Sequence, residues 1–328
     1  MLSTLCAAMA RRRRERYAAK PELRQRLRSP VISVGNIAVG GRGKTPIVAT
    51  IARMLIDMGE RPAILSRGYG RARNEPGVVI VRDAAEIRAG LDSAGDEPLM
   101  LAGQLPGVCV LTCPDRYRAG TLAERELGAT VHVLDDGFQH FQLDRDIDLV
   151  IVGREDIAHP VTLPGGRLRE PLDTLVAADA VLVEDGVVIE AAGLDLPTYR
   201  IRRETPPDRG ATVAAAGGRP VLAVAGIASP ERFFRDLREA GWSVADTMAY
   251  RDHYRFTRAD VDRIVANARR AGAAMIVTTE KDYVRLQPFE PLAVPVGFVP
   301  ISLRPEPFDG FRTWIGSELQ TTRGIARG

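Results

Sequence analysis

The chain has few of the residues that build disulfide frameworks and metal sites. Its 328 residues include three cysteines, Cys6, Cys109 and Cys113, and four histidines. The cysteines form neither an even, closely spaced set nor a Cys-x-x-Cys pair, which favours a reducing compartment and argues against a structural zinc site. With so few histidines, a role in metal storage or delivery has little support.

Long apolar runs are also missing. No stretch approaches the ~18–20 apolar residues that a membrane-spanning helix needs, so we expect no transmembrane helix. What remains is the composition of a globular protein, with 45% hydrophobic and 27% charged residues. A chain of this length can bury a large core, and we expect two domains.

The amino-terminal segment, residues 1–29, stands apart by its charge. A short apolar run at residues 2–9 precedes residues 11–28, which hold nine Lys or Arg against two acids. A signal peptide would place its charge before the apolar run, so we do not expect secretion. Contact with an anionic membrane surface and a solvated, charged helical face both fit this pattern. A nucleic-acid patch is a third interpretation, but Tyr17 alone gives no stacking platform, so we expect no nucleic-acid partner.

The most informative segment is rich in glycine. An apolar run beginning at Val31 leads into four glycines, and a Lys-Thr pair then opens a helix-like segment. This is the pattern of a phosphate-binding loop, in which backbone N–H groups and a lysine hold a polyphosphate and a hydroxyl reaches Mg²⁺. The predicted nucleotide-binding residues are Val39, Gly40, Gly41, Arg42, Gly43, Lys44, Thr45 and Pro46.

The loop departs from the usual pattern in two places. Ala38 stands where the first glycine of G-x-x-x-x-G-K-[ST] is expected, and Arg42 places a cation inside the loop. Arg42 either contacts phosphate or faces solvent. The alternative interpretation is a glycine-rich turn that binds nothing.

Strand-like and helix-like segments alternate along the rest of the chain. Continuous apolar strands separated by helical segments indicate a mostly parallel sheet covered on both faces, with ligands at the carboxyl ends of the strands. A stretch rich in Gly, Pro and charge, residues 184–220, precedes a second alternating block. We therefore predict an α/β fold of the P-loop NTPase type at residues 30–205 and a second, smaller α/β domain at residues 206–328.

Acidic residues end one of the predicted strands. The segment from Val131 ends in Asp135 and Asp136, which is typical of a Walker-B strand whose carboxylate holds Mg²⁺. Gln139 and His140 add hydrogen-bonding groups on the same loop. An Asp-Asp-Gly turn between two strands is the alternative interpretation.

Asp96 and His253 each have a structural explanation in the sequence alone. Asp96 precedes an apolar helix and suits a helix cap, and an isolated histidine is more often a structural hydrogen-bonding group. Both interpretations stay open at this point.

The ordered set of motifs resembles the tetraacyldisaccharide 4'-kinase family over residues 30–285. The motifs are Ser33-Val-Gly-Asn-Ile-Ala-Val-Gly-Gly-Arg-Gly-Lys-Thr-Pro46, Ser66-Arg-Gly-Tyr-Gly70, Gly95-Asp-Glu-Pro98, Asp135-Asp-Gly-Phe-Gln-His140, Leu163-Pro-Gly-Gly-Arg-Leu-Arg-Glu-Pro171, Asp252-His253 and Thr279-Glu-Lys-Asp282. The chain departs from the family at Arg42, where a small hydroxyl residue is usual, and in its more arginine-rich amino terminus.

The resemblance implies a kinase that uses ATP and Mg²⁺ to phosphorylate the 4'-hydroxyl of an acylated disaccharide 1-phosphate lipid. It implies a monomer at the cytoplasmic face of the bacterial inner membrane, held there peripherally, and hinge closure of the two domains. The catalytic base implied is Asp96 paired with His253, with Lys44 and Asp136 also catalytic. The residues implied for the other roles are Thr45, Asp135, Asp136 and Glu170 for the metal, and Tyr69, Gln139, His140 and Arg169 for the substrate.

Two other classes of function fit these residues less well. A GTPase or metallochaperone-type switch usually carries an [NT]-K-x-D element, whereas Thr279-Glu-Lys-Asp282 has lysine directly before aspartate. A non-catalytic nucleotide-binding module would leave Asp96, the Asp135-Asp136 pair and His253 without a role.

Overall fold

The computed structural model describes residues 2–40, 43–72, 76–189, 195–204 and 216–325. Two predicted nucleotide-binding residues, Gly41 and Arg42, lie outside the described residues. The predicted domain boundary at residues 205–206 lies outside them too.

Thirteen strands of the described part form two sheets. The strands are β1 (Val31–Asn36), β2 (Pro62–Ser66), β3 (Val79–Arg82), β4 (Cys109–Thr112), β5 (Val131–Asp135), β6 (Ile147–Val152), β7 (Ala180–Val183), β8 (Thr198–Glu204), β9 (Val221–Ala225), β10 (Val244–Ala249), β11 (Met275–Thr279), β12 (Val296–Val299) and β13 (Ser302–Glu306).

Helices cover both sheets. They are α1 (Leu2–Ala19), α2 (Lys44–Asp57), α3 (Leu91–Ala94), α4 (Asp96–Gln104), α5 (Arg116–Glu126), α6 (Arg154–Ala158), α7 (Pro230–Glu239), α8 (Arg258–Arg270), α9 (Glu280–Leu286) and α10 (Phe308–Ile325). Short 3-10 turns lie at Pro21–Leu23, Leu172–Ala177 and Gln287–Phe289.

The larger sheet has nine strands in the order β13-β8-β7-β6-β1-β5-β2-β4-β3. Only the edge strands β3 and β13 pair antiparallel with their neighbours. Every residue of β1, β5 and β6 is buried, as expected for parallel strands covered on both faces. The predicted α/β class with a mostly parallel sheet is confirmed. Because parallel strands end at one edge, the glycine loop after β1 and Asp135 at the end of β5 lie close together.

The smaller sheet has four parallel strands in the order β10-β9-β11-β12. Its strands lie within residues 221–299, and α7 and α8 pack their apolar faces on it. The prediction assigned residues 206–328 to the smaller domain. Residues 302–325 instead join the larger sheet, because β13 pairs with β8. Phe311, Ile315 and Leu319 of α10 are buried in the core of that larger sheet. The division at residue 205 stays a prediction.

Helix α1 joins the apolar run and the first part of the basic run into one element. It is held to the body by arginine, since Arg14 Nε donates to Glu170 Oε2 at 2.8 Å and its guanidinium lies 4.1 Å from the Phe138 ring centroid. Leu2, Leu5 and Met9 face solvent, with 65%, 58% and 63% of their surface exposed. Among the described residues, no helix is long and apolar enough to cross a membrane.

Candidate active site

The glycine loop connects the end of β1 to the start of α2. Gly40 and Gly43 have φ angles of 106° and 76°, the left-handed region in which a side chain is strained. A Cβ at Gly43 would also lie 2.3 Å from Leu303 of β13, so the loop passes close to the last strand. Lys44 begins α2, and its Nζ lies 3.5 Å from Asp136 Oδ1. The predicted strand-loop-helix geometry is therefore present in the described part of the loop.

Two neighbouring carboxylates lie beside this loop. Burial raises the pKa of Asp135 to about 7, and the charges of Glu97 and Asp136 add to the effect while Lys44 opposes it. The charge of Asp135 is thus poorly compensated, and a bound cation is what would offset it. Thr45, also buried, adds a hydroxyl oxygen at the start of α2. This oxygen-donor chemistry suits Mg²⁺, which keeps waters and phosphate oxygens as further ligands.

Asp136 differs from its neighbour because cations surround it. Burial alone would raise the pKa of its carboxyl, but Lys44 and Arg169 lower it below its ordinary value. Arg169 Nη1 donates to Asp136 Oδ2 at 2.9 Å and lies 3.4 Å from Gln139 Oε1. The structure thus brings together Lys44, Asp136, Gln139 and Arg169, four of the predicted site residues.

The side chain of Glu170 contacts α1. Its carboxylate is 3% exposed, its Oε2 accepts from Arg14, and its Oε1 is buried without a hydrogen-bond partner in the described structure, so a metal role for Glu170 stays a prediction. No cluster of three or more His, Cys, Asp or Glu side chains within the described ranges could hold a metal by itself.

His140 is half-buried on the loop after β5. Burial lowers the pKa of its imidazole to about 4, and the positive charges of Arg116 and Arg145 add to this. The ring is therefore neutral at ordinary pH, and it can donate one hydrogen bond and accept another without carrying charge.

Asp96 and His253 meet across the two sheets. Asp96 is the first residue of α4, which packs on the larger sheet, and His253 lies between β10 of the smaller sheet and α8. His253 Nδ1 lies 2.9 Å from Asp96 Oδ2. Gly95, not Asp96, is the N-cap of α4, but Asp96 Oδ1 accepts a hydrogen bond from Glu97 N–H at 2.9 Å, so the side chain contacts both the helix start and His253.

Arg285 of α9 shares the same carboxylate. Its Nε donates to Asp96 Oδ2 at 3.0 Å, its Nη2 makes a second, short contact there, and its Nη1 donates to Asp282 Oδ1 at 2.8 Å. Burial acts to raise the pKa of Asp96, but the hydrogen bond from His253 and the charges of Lys281 and Arg285 bring it well below its ordinary value. Asp96 is therefore ionised, and it is a weak proton acceptor.

The loop after β2 completes the wall around this pair. The Tyr69 ring meets the edge of the His253 ring at 5.2 Å between centroids, and 66% of the tyrosine is exposed. Gly70 has a φ of 76°, and a Cβ there would lie 3.8 Å from His253 Nδ1. Tyr69 thus lies at the mouth of the site, where a substrate would contact it.

Four polar residues of this region had no role assigned to them from the sequence. Arg116 is buried near Asp135 and Asp136, and burial, followed by the charge of Arg67, lowers its pKa to about 10. Asn36 ends β1, and both polar atoms of its amide are buried without a hydrogen-bond partner in the described structure. Lys281 and Arg285 lie on α9. Asn36 could have been found from the sequence, because it is a polar residue at the end of an apolar strand. The other three residues can be assigned to the site only once the fold is known.

Comparison with known proteins identifies the family. The family model described as tetraacyldisaccharide-1-P 4'-kinase matches residues 1–320. A tetraacyldisaccharide 4'-kinase of Syntrophus aciditrophicus is 41% identical over 311 residues, covering 87% of this chain and 83% of the relative. One of Bradyrhizobium diazoefficiens is 42% identical over 285 residues, covering 84% and 80%.

A solved structure is similar over nearly the whole chain. It is the "apo" form of LpxK from Aquifex aeolicus in complex with ATP, with a TM-score of 0.78, 31% identity and 97% of each chain covered. The resemblance found in the motifs is thereby confirmed. This chain belongs to the tetraacyldisaccharide-1-P 4'-kinase family.

Proposed function

We propose that the chain transfers the γ-phosphoryl group of ATP to the 4'-hydroxyl of a tetraacyldisaccharide 1-phosphate, the step of lipid A biosynthesis that forms lipid IVA. The observation that carries this proposal is the contact of 2.9 Å between Asp96 and His253, made beside a phosphate-binding loop. A sugar hydroxyl must lose its proton as it attacks phosphorus, and this pair supplies a proton acceptor held by a carboxylate. Membership of the family names the substrate class.

The nucleotide side of the site is built by the larger sheet. Backbone N–H groups at Gly40 and Gly43 and the ammonium of Lys44 would bind the phosphates of ATP. Thr45 and Asp135 would hold Mg²⁺, which when bound neutralises charge on the phosphate oxygens. Arg169, held beside Asp136, supplies a further cation for the group being transferred.

The proton leaves by way of His253. The resemblance implies Asp96 as the base, but its carboxyl is ionised and its pKa lies well below the ordinary range because His253, Lys281 and Arg285 surround it. We therefore assign proton acceptance to His253 Nε2, with Asp96 accepting a hydrogen bond from Nδ1–H. As the 4'-oxygen forms its bond to phosphorus, the proton passes to Nε2 and the bond from phosphorus to the departing ADP oxygen breaks.

Domain movement would control this chemistry. Asp96 and His253 come from elements that pack on different sheets, so any rotation of one sheet against the other separates them. Closure on the bound substrates would bring the base to the acceptor and exclude water. The contact seen between the two residues fits a closed arrangement, and we propose that the protein acts as a monomer.

A lipid acceptor favours a reaction at a membrane surface. We propose that α1 lies on the anionic cytoplasmic face of the inner membrane, with Leu2, Leu5 and Met9 entering the apolar boundary. The exposed Val161 and Leu163 lie on the loop that receives α1, because Thr162 Oγ1 donates to Ser3 O at 2.7 Å. Arginines of α1 that are exposed would pair with lipid phosphates.

A transfer assay tests the proposed activity. Wild-type protein with labelled ATP, Mg²⁺ and the disaccharide 1-phosphate in detergent is expected to place label in the lipid. We expect His253→Gln to lower kcat by about 10²–10⁴-fold with little change in KM for ATP, because it removes the proton acceptor and leaves the phosphate loop intact. Asp262→Asn, on an exposed face of α8, is the control and should match wild type. No labelled lipid from folded wild-type protein would reject the kinase assignment, and full activity of His253→Gln would reject the base alone.

A further inference from the structure

Lysine is rare in this protein. Of its 45 Lys and Arg residues, only three are lysines, namely Lys20, Lys44 and Lys281. Lys44 is the lysine of the phosphate-binding loop. A lysine ammonium is compact and carries three rotatable donors, whereas a guanidinium is a planar fork, so the two are not interchangeable at a crowded site. In a chain that meets nearly all its other needs for positive charge with arginine, a lysine inside a site marks a need for that geometry.

Lys281 lies inside the candidate active site. It is the second residue of α9, directly after β11, and its side chain is 17% exposed. Its Nζ lies 3.1 Å from His253 Nε2, 3.1 Å from Glu97 Oε1 and 3.6 Å from Asp252 Oδ1. The two carboxylates offset the cost of burying the ammonium and fix its position.

Lys281 lies beside the nitrogen that would accept the proton, His253 Nε2. An acceptor hydroxyl that passes its proton to His253 Nε2 must come within about 3 Å of that nitrogen. The ammonium of Lys281 is already within 3.1 Å of the same nitrogen. Nε2 has a single lone pair, so the incoming hydroxyl replaces the ammonium as its partner. The ammonium, still held by Glu97 and Asp252, then lies beside the attacking oxygen and the phosphoryl group that bonds to it.

We infer that Lys281 is a further catalytic residue, whose ammonium contacts the attacking 4'-oxygen and the phosphoryl group in transfer. This inference rests on the proposed kinase function. The proton of the hydroxyl goes to His253 Nε2, the new O–P bond forms, and the electron pair of the broken bond leaves with ADP. Lys281 keeps its three protons throughout and stabilises charge by hydrogen bonding. The active site then receives one ammonium from each sheet, Lys44 and Lys281.

A purely structural ion pair would not need lysine here. Arg285, one turn further along α9, has such a structural role. Its guanidinium pairs with both Asp96 and Asp282, and its side chain is 3% exposed. An arginine at position 281 would keep a positive charge near Glu97 and Asp252. It would place a larger, planar group in the space that the acceptor oxygen needs.

Charge around His253 makes the proposal testable by pH. The groups that face the imidazole are Asp96, Asp252, Lys281, Arg285 and the edge of Tyr69. Loss of the positive charge at position 281 favours protonation of the base, so the acidic limb of the kcat profile should move to higher pH.

The experiment compares Lys281→Met and Lys281→Arg with wild type and with Arg270→Met, which removes an exposed charge from α8. We expect Lys281→Met to lower kcat by about 10²–10³-fold and to move the acidic limb up by about 0.5–1 pH unit. Lys281→Arg should fold with wild-type Tm and still lose at least about tenfold in kcat, with Kd for ATP unchanged. Arg270→Met should match wild type.

Two results would overturn the inference. One is wild-type kcat in Lys281→Arg, which would show that charge alone is needed. The other is a slow Lys281→Met variant whose Tm falls while its pH profile keeps the wild-type limb, which would show a structural ion pair. Wild-type transfer in the same assay keeps the proposed kinase function separate from either outcome.

Discussion

At the scale of single residues, the neighbours of each charged group decide its protonation state. Asp135 and Asp136 are adjacent in sequence, yet burial raises the pKa of the first while Lys44 and Arg169 lower that of the second. Asp96 is likewise surrounded by cations, which is why we propose that it orients His253 and that His253 takes the proton. The identity of a residue suggests a role, and its neighbours set its charge.

His140 gives a prediction at this scale. Its pKa is lowered from 6.5 to about 4 by burial, so the folded state holds it neutral where the unfolded chain is protonated. The stability from neutral His140 is complete above pH 6.5 and is lost as the pH falls towards 4. In urea unfolding at pH 7 and pH 4.5, wild type should lose about 2–3 kcal/mol more on acidification than His140→Gln. Equal losses in the two proteins would contradict the burial of a neutral ring.

At the scale of elements, local motifs could be predicted from the sequence, whereas contacts between distant segments could not. The loop from β1 to α2 and the carboxylates that end β5 were predictable, because a strand, a turn and a helix start are specified by a few adjacent residues. Asp96 and His253 are separated by 157 positions, and only the family resemblance paired them. The donors on α9 were missed because their partner lies on α4, across the boundary between the two sheets.

The last helix shows the same limit. Its residues fall within the predicted smaller domain of residues 206–328, because sequence order was the only guide to which sheet they would join. The pairing of β13 with β8 instead carries α10 onto the larger sheet, where Phe311 packs between Tyr199 and Trp314.

Phe311→Ala tests this placement. The side chain is fully buried, so its removal should lower the free energy of unfolding by about 3–5 kcal/mol. The control is Val188→Ala. Val188 is 57% exposed, so this substitution should change the free energy of unfolding by less than about 0.5 kcal/mol. Wild-type stability of Phe311→Ala in urea unfolding would contradict the docking of α10.

At the scale of the whole molecule, the site combines residues from elements that pack on the two different sheets. Helix α1 exposes apolar side chains to solvent. The two alternating α/β blocks predicted two α/β units, whereas the anchoring of α1 through Arg14 and Glu170 had no signal in the sequence, because an arginine-rich run looks uniformly solvated. Only the structure separates the arginines that bind the body from those that remain exposed.

Membrane contact through α1 can be tested by sedimentation with anionic vesicles. The triple variant Leu2→Ser, Leu5→Ser, Met9→Ser should bind at least about tenfold more weakly, because it removes the apolar surface that would enter the lipid boundary. Ile87→Ser with Val188→Ser removes exposed apolar groups elsewhere and should bind as wild type does. Undiminished binding of the triple variant would reject α1 as the contact.

The activity proposed for this chain is the transfer of a phosphoryl group to one hydroxyl of an acylated sugar. The most direct measurement is the structure of the product, by mass spectrometry and phosphorus NMR, after wild-type protein has acted on MgATP and the tetraacyldisaccharide 1-phosphate in detergent. The predicted product gains a single phosphoryl group at the 4'-position, with one ADP formed for each lipid modified. Release of inorganic phosphate with the lipid unchanged would contradict the proposed transfer to the lipid.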